Sequence, residues 1–493
     1  MQKILFIFYA FLGAIYSCIA QNDSVTTYKL SLSDALEIAS QQSLDALVAK
    51  DQMRVYYWRF RDYKADLLPS LTFSGTIPSL NRQLAAYQKE DGSYAFIPSR
   101  NLTESALLSV TQNIPYTGGK ISVQSQLQRL DQLDGSKTTS WLSVPVSITL
   151  EQPLITSRPL WWATKIEPER YKEAKQQYIA DMEAVSIQTI KSYFDLLLSM
   201  VNYEIAEQTL KNATQLYDIA LGKKRIGLIS DNDVQQLKLG KLNASAAVVS
   251  ARQDYDQKMC DLRNYLGFND QVVVEAVIPE EAPVIPISLD EVRSLAEANN
   301  PISHNTRRRQ LEAQQLIAEA RANRGFQANI YASIGFTGSA SKFAPAYQNL
   351  QNRQIISLGI SIPILDWGKG KGRIQLAKSQ ADVEYNRIQQ EVLDFEQNIE
   401  LAVQQYHDQQ GLVSVYREAD TVAQRRYKSI FETFVMGHIS VLDINAAQTE
   451  KDQARRNYIN QLYLSWLCFY NLRQITLFDF ETKTNIEYSS LPQ

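Results

Sequence analysis

The chain has 493 residues, 45% of them hydrophobic and 21% charged, with a formal net charge of −3. That length allows two or three ordinary domains, and the composition is that of a folding chain without low-complexity tracts. Positive and negative charges are interspersed, so no basic field invites nucleic acid and a nucleic-acid partner is excluded.

The chain starts MQKILFIFYAFLGAIYSCIAQ. One lysine precedes an apolar run of about thirteen residues that ends in small ones, the pattern of a secretory signal rather than a membrane span. Residues 1–20 are assigned to it, with cleavage after Ala20. Cys18 offers a rival reading as a lipid-attachment site, although Tyr16 fits that pattern poorly. If Cys18 leaves with the signal, Cys260 and Cys468 remain, too few for a disulfide framework, and two buried thiols on helices are expected. No other apolar run approaches the ~18 residues of a transmembrane helix, so any membrane insertion has to use strands.

A first repeat is expected over 21–275. After a leading helix around LSLSDALEIASQQS (30–43), strands occupy about 67–155. Residues 71–77 alternate, and in 142–151 Leu142, Val144, Val146, Ile148 and Leu150 lie on one face against Ser143, Ser147, Thr149 and Glu151. An extra hairpin is expected over about 105–131, turning at Thr117-Gly118-Gly119, and 81–101 reads as a polar loop. Such strands fit a half-buried sheet or a membrane barrel with lipid outside and water inside.

A long helical hairpin follows over about 160–266. At its turn Gly227 suits a left-handed helix end, Ser230 an N-cap, and Asp233 the third position of a capping box. A linker (276–286) leads to a second repeat (287–476), with a leading helix in ISLDEVRSLAEANNP, strands over about 327–366 and a second hairpin over about 369–476; a tail covers 477–493. In 329–337 Ile330, Ala332, Ile334 and Phe336 oppose Asn329, Tyr331, Ser333 and Thr337, and 343–353 reads as a further polar loop. Ile388, Val392, Phe395, Ile399, Ala402 and Tyr406 step by threes and fours, as in a coiled coil. Sixty residues at 1.5 Å each make a rod of roughly 90 Å, beyond any compact domain.

The halves are in register. Pro153 to Pro363 is 363 − 153 = 210 positions, and Gly227 to Gly437 is also 437 − 227 = 210. The leading helices are offset by about 257, so the first half holds roughly 47 extra residues between 75 and 145. The register also disposes of a nucleotide site at GISIPILDWGKGKGRIQLAKSQ (359–380). The first-half copy carries no glycines at Gly368, Gly370 and Gly372, and their spacing fits neither phosphate-binding fingerprint; they let the chain turn.

These features together resemble the TolC-like outer membrane factor family: two halves, each with a strand-ending proline motif (QPLI, 152–155; IPIL, 362–365) and a hairpin tip (IGLISDNDV, 226–234; MGHISVLDI, 436–444). The resemblance implies a mixed α/β membrane protein, a homotrimeric outer-membrane β-barrel continued by a long periplasmic α-helical barrel. It implies a Gram-negative outer membrane location, contact with outer membrane lipid, and docking on a periplasmic adaptor and an inner-membrane transporter. The function so implied is the passive exit duct of a tripartite efflux or type I secretion system. The resemblance makes Gly227, Leu228, Ile229 and Ser230, with Gly437, His438, Ile439 and Ser440, the adaptor-docking tips. Asp233 and Asp443 fall at the periplasmic aperture, and Pro153, Pro363 and Gly368 at the strand-to-helix junctions. Two positions depart from the family pattern, Ile439 standing where the aperture latch has an arginine and Ala446 at a second acidic position. Simple helix capping is the alternative role of both aspartates.

Catalysis finds no support. His304, His407 and His438 are isolated in sequence, no nucleophile elbow occurs, and Ser339-x-x-Lys342 lies in an expected loop. No cofactor or metal is expected. The competing class is an exported coiled-coil structural or adhesive surface protein. Arg307-Arg308-Arg309 reads as a solvated basic face and Trp161-Trp162 as interfacial anchors. No methionine or histidine cluster favours metal export, and the sequence does not name the cargo.

Overall fold

The computed structural model describes residues 26–134, 137–227, 229–269, 272–436 and 441–488. The expectations for residues 1–20, Cys18 included, lie outside the described residues. In chain order the elements are β1 (Thr26–Leu30), α1 (Leu32–Gln42), α2 (Leu44–Asp66), β2 (Ser70–Gln88), β3 (Tyr94–Ile114), β4 (Gly119–Gln132), β5 (Thr138–Pro153), α3 (Pro159–Arg225) and α4 (Asp231–Leu266). The second half holds β6 (Val272–Ala276), α5 (Leu289–Asn299), α6 (Ile302–Ala322), β7 (Gln327–Ala340), β8 (Gln351–Ser361), α7 (Lys369–Met436) and α8 (Val441–Thr476), and a small hairpin of β9 (Phe478–Asp479) and β10 (Thr484–Asn485) follows.

The 210-residue spacing recurs in three dimensions. Both ends of α4 and α8 keep it, since 441 − 231 and 476 − 266 are each 210. It extends to backbone conformation: Arg158 before α3 has φ 50°, and Gly368 before α7, 368 − 158 = 210 residues on, has φ 81°. Each leading segment is two helices rather than one. The first breaks at Ser43, whose hydroxyl accepts from Ala46 N at 3.2 Å and so caps α2.

At 67 residues α3 is about 100 Å long, so no single core can cover it. Beside the sheet the helices neighbour one another in the order α2–α3–α6–α7, and toward the tips in the order α4–α3–α8–α7. Every level therefore has four helices abreast. Between these levels β1 and β6 pair in parallel and pack on α3, where the buried Tyr193 hydroxyl donates to Leu30 O (3.0 Å) and accepts from Val277 N (3.0 Å). That strand pair thus stays registered to one point on the rod.

Among the described residues the six long strands form one antiparallel sheet in the order β2-β3-β4-β5-β7-β8. Residues 81–101 are not a loop: β2 and β3 stay paired from Leu80↔Leu102 to Gln88↔Tyr94 around a turn at 89–93. Polar composition suggested a loop, but a two-stranded ribbon satisfies its own backbone and tolerates polar side chains on both faces. In the expected loop 343–353, a 3-10 turn spans Ala344–Tyr347 and β8 begins at Gln351.

Two bulges decide which residues share a face. In β2 the extra residue falls at Ile77-Pro78, opposite Glu104. Proline supplies no ladder donor, and one added residue keeps Leu80 and Leu84 on the side of Leu71 and Phe73 although their parity changes. In β5 the shift lies between Ser143 and Ser147, around Pro145. It overturns the single apolar face expected for 142–151: Ile148 and Leu150 oppose Val123 and Ile121, whereas Leu142 and Val144 oppose Gln128 and Gln126 on the other side. A one-residue slip flips every side chain beyond it.

Candidate functional site

The sheet has two chemically opposite faces, read from cross-strand partners. Leu71, Val110, Val123, Ile148 and Ile334 follow one another strand to strand across β2, β3, β4, β5 and β7. One residue away along the same strands, Ser70, Thr111, Ser122, Thr149 and Ser333 form the matching row on the opposite face, where Thr149 Oγ1 meets Ser333 Oγ at 3.2 Å. The apolar row is open to solvent in the single chain, Leu71 at 67% and Ile334 at 57%. Large apolar side chains left uncovered in a row of this length need a nonaqueous neighbour.

On β4 and β5 the apolar face gives way to a charged and aromatic cluster. Arg129 bridges Glu104 (3.6 Å) and Asp131 (2.8 Å) and lies over the Trp141 ring at 5.6 Å, and Trp141 meets Phe343 edge-on at 5.5 Å. From Ile121 to Arg129 the strand rises about 26 Å, close to the height of the apolar band on a membrane barrel. None of these five residues stood out in the sequence, because the cluster comes from three strands and a turn.

At the other end the strands pass into helices. Pro153 closes β5 opposite Asn329, and Leu154 N donates to Ala328 O at 2.7 Å. Pro363 is exposed just after β8. The Asp366 carboxylate then accepts from Gly370 N (2.8 Å) and Gly368 N (2.9 Å), and these donors hold its pKa below the usual carboxylate range. Gly370 has no room for a side chain, since a Cβ there would lie 2.7 Å from Arg324 Cγ.

Below the junction the structure departs from two expectations. Trp162 is a buried residue packed with Ile166 and Leu311 between α3 and α6, and Trp161 stacks edge-on against it at 4.9 Å. They pack between two helices instead of anchoring at an interface. Of the three consecutive arginines only Arg307 is exposed. Arg308 reaches Glu173 on α3 and Glu312, while Arg309 reaches Glu384 and Glu391 on α7, so neighbouring residues tie α6 to opposite sides. Of the two thiols, Cys468 is buried but Cys260 is only half-buried.

At the far end Gly227 leaves α3 with φ 75°, and Ser230 caps α4, its hydroxyl accepting from Asp233 N (3.2 Å) while Asp233 Oδ2 accepts from Ser230 N (3.3 Å). Ile229 packs on a cluster of Leu216, Ala220, Val234, Leu237, Phe434 and Ile444, which brings the end of α7 against the first tip. Asp443 is exposed in the first turn of α8. Leu228, Gly437, His438, Ile439 and Ser440 lie outside the described residues.

Behind the tips runs a polar seam that sequence reasoning passed over. Asn212 Nδ2 donates to the Tyr427 hydroxyl at 2.7 Å and Gln448 Nε2 to Thr209 Oγ1 at 2.8 Å, joining α3 to α7 and α8. The only available signal was polar residues within the packed stripe of a long helix.

The sequence profile described as "Outer membrane efflux protein" matches residues 104–268 and 292–474, well over half of the chain. The toluene efflux pump outer membrane protein TtgC of Pseudomonas putida is 23% identical over an alignment of 280 residues that covers 53% of this chain and 55% of TtgC. The probable outer membrane lipoprotein SilC of Salmonella typhimurium is 26% identical over an alignment of 321 residues that covers 59% of this chain and 66% of SilC. The chain thus spans little more than half the length of the first of these relatives. The crystal structure of the Campylobacter jejuni CmeC outer membrane channel has the same fold, with a TM-score of 0.66 at 16% identity over 93% of this chain and 87% of that one.

Proposed function

Because the chain belongs to the outer membrane efflux protein family, we propose that three copies close one barrel in the outer membrane and one helical tunnel beneath it. The assembly is a passive exit duct. The observation that carries this reading is the two-faced sheet: an apolar row for lipid, a hydroxyl row for water, and edge strands β2 and β8 that each leave one side unpaired. Long unpaired edges need a partner, and a closed barrel removes them.

The helices extend the duct into the periplasm, and the tips around Gly227–Ser230 and 437–440 meet a periplasmic adaptor that couples to an inner-membrane transporter. Asp443 and Asp233 line the aperture there. Transport energy comes from the inner-membrane partner, so the duct needs no catalytic group. TtgC is described by toluene efflux and SilC only as a lipoprotein, and neither assigns a cargo to this chain.

The test is the mass of the detergent-extracted particle, from light scattering corrected for bound detergent, followed by conductance in planar bilayers. Three chains per particle and a conducting pore, wider after Asp443→Ala, are expected. A monodisperse, nonconducting monomer would overturn the duct and favour the exported coiled-coil protein.

A further inference from the structure

We infer that the exit barrel has 18 strands, six from each of three chains, so that the membrane section is as wide as the helical tunnel and does not select the cargo. The inference rests on the trimeric duct proposed above.

The repeat shows where the added strands went. β7 starts 327 − 70 = 257 residues after β2, and the end of β5 at Pro153 corresponds to Pro363 just past β8, so β2 and β5 are the counterparts of β7 and β8. In the second half that pair is directly hydrogen-bonded. In the first half β3 and β4 stand between its members, with β3 laddered to β2, β4 to β3 and β5 to β4. The extra hairpin is therefore spliced into the sheet.

Its side chains are those of a wall. Leu108, Val110, Ile121 and Val123 continue the apolar face, while Ser109, Ser122, Gln124 and Gln126 continue the polar one. A hairpin folded into the lumen would meet water on both faces and have no use for four large apolar residues on one of them. The edges also suit closure. With six strands alternating in direction, β2 and β8 run oppositely, so β8 of one copy meets β2 of the next in the antiparallel sense of every other pair.

Width follows from geometry. Eighteen strands spaced ~4.8 Å and tilted about 40° span a perimeter of roughly 110 Å, a backbone diameter of about 36 Å. Four helices abreast in each of three chains make 12, and at about 9 Å apart they also span roughly 110 Å. A barrel of that width passes hydrated small molecules and a helical polypeptide about 10–12 Å across alike, which leaves discrimination to the helix tips.

Single-particle cryo-electron microscopy of the full chain in nanodiscs tests this. A three-fold particle with 18 strands in cross-section is the expected result. A three-fold particle with 12 would overturn the inference and leave the duct standing, and a particle without a three-fold barrel would overturn both. In proteoliposomes Val123→Cys should resist a membrane-impermeant maleimide while Gln124→Cys reacts. Equal reactivity at both positions would place the hairpin outside the wall and overturn the inference independently.

Discussion

Glu183 on α3 is fully buried and holds Arg473 of α8, whose Nε donates to it at 3.2 Å, while the Tyr488 hydroxyl donates to the same carboxylate at 3.0 Å. Burial works against the guanidinium's charge, but Glu183 outweighs it and the Arg473 pKa rises above its ordinary value. Asp479 of the terminal hairpin meets Arg473 at 3.1 Å, so one node fastens α3, α8 and the C-terminal segment together.

Removing one charge from such a node strands the other. Arg473→Met should therefore cost about 3–5 kcal/mol, seen as a large fall in melting temperature. Adding Glu183→Gln should recover much of the loss, because the fully buried carboxylate is no longer left unpaired and only the partly exposed Asp479 lacks its arginine. If the double variant is no more stable than the single one, packing by the arginine stem dominates instead.

Asp452 makes the opposite prediction. Burial pushes its carboxyl above the usual range, against the pull of Lys451 and Arg456. A raised folded-state pKa means the contribution to stability is full below the unfolded value and is lost as pH rises through the folded one. At neutral pH the ionised group is thus a burden, and Asp452→Asn should melt higher than the parent. The gap should close as the pH falls from about 7 to about 4. A gap unchanged over that range would assign the gain to something other than ionisation.

The β5 bulge presses its backbone onto β7: a Cβ on Gly335 would lie 2.4 Å from Val146 O and 2.7 Å from Ser147 Cα. Gly335→Val should sharply reduce the folded fraction recovered from membranes, assayed by heat-modified gel mobility. Gly359→Ala, where a Cβ meets nothing nearer than Asn329 O at 3.9 Å, should leave that fraction unchanged. Similar losses from both would deny the bulge any special role.

The legible and illegible parts of this chain divide along physical lines. Spacing between like residues survives folding, so the prolines at 153 and 363 already carried the 210-residue register that α4 and α8 repeat. Strand register does not reside in one strand. Leu142 and Val144 alternate cleanly with Ile148 and Leu150, and only the partner strands reveal that a bulge separates them. Composition also misled at 81–101, where polar residues pair as a ribbon, and at Trp162 and Arg308, whose burial depends on which helix lies alongside. At the site, the Ser230–Asp233 capping pattern could be read locally, whereas the Arg129–Trp141 cluster draws its members from separate strands.

In the capping pattern Asp233 has a second task beside lining the aperture. Its Oδ2 accepts from both the Ser230 backbone N–H (3.3 Å) and the Ser230 hydroxyl (2.6 Å), so the carboxylate is turned back onto the start of its own helix. Asp233→Asn keeps an acceptor oxygen in place and removes the charge, whereas Asp233→Ala removes both. The asparagine variant keeps the cap and should leave single-channel conductance unchanged. The alanine variant should then speed amide hydrogen exchange over the first turn of α4, with a loss of about 1 kcal/mol. A conductance that changes equally in both variants would show that the charge itself acts on the passing ions, and Asp233 would join Asp443 as a gating residue.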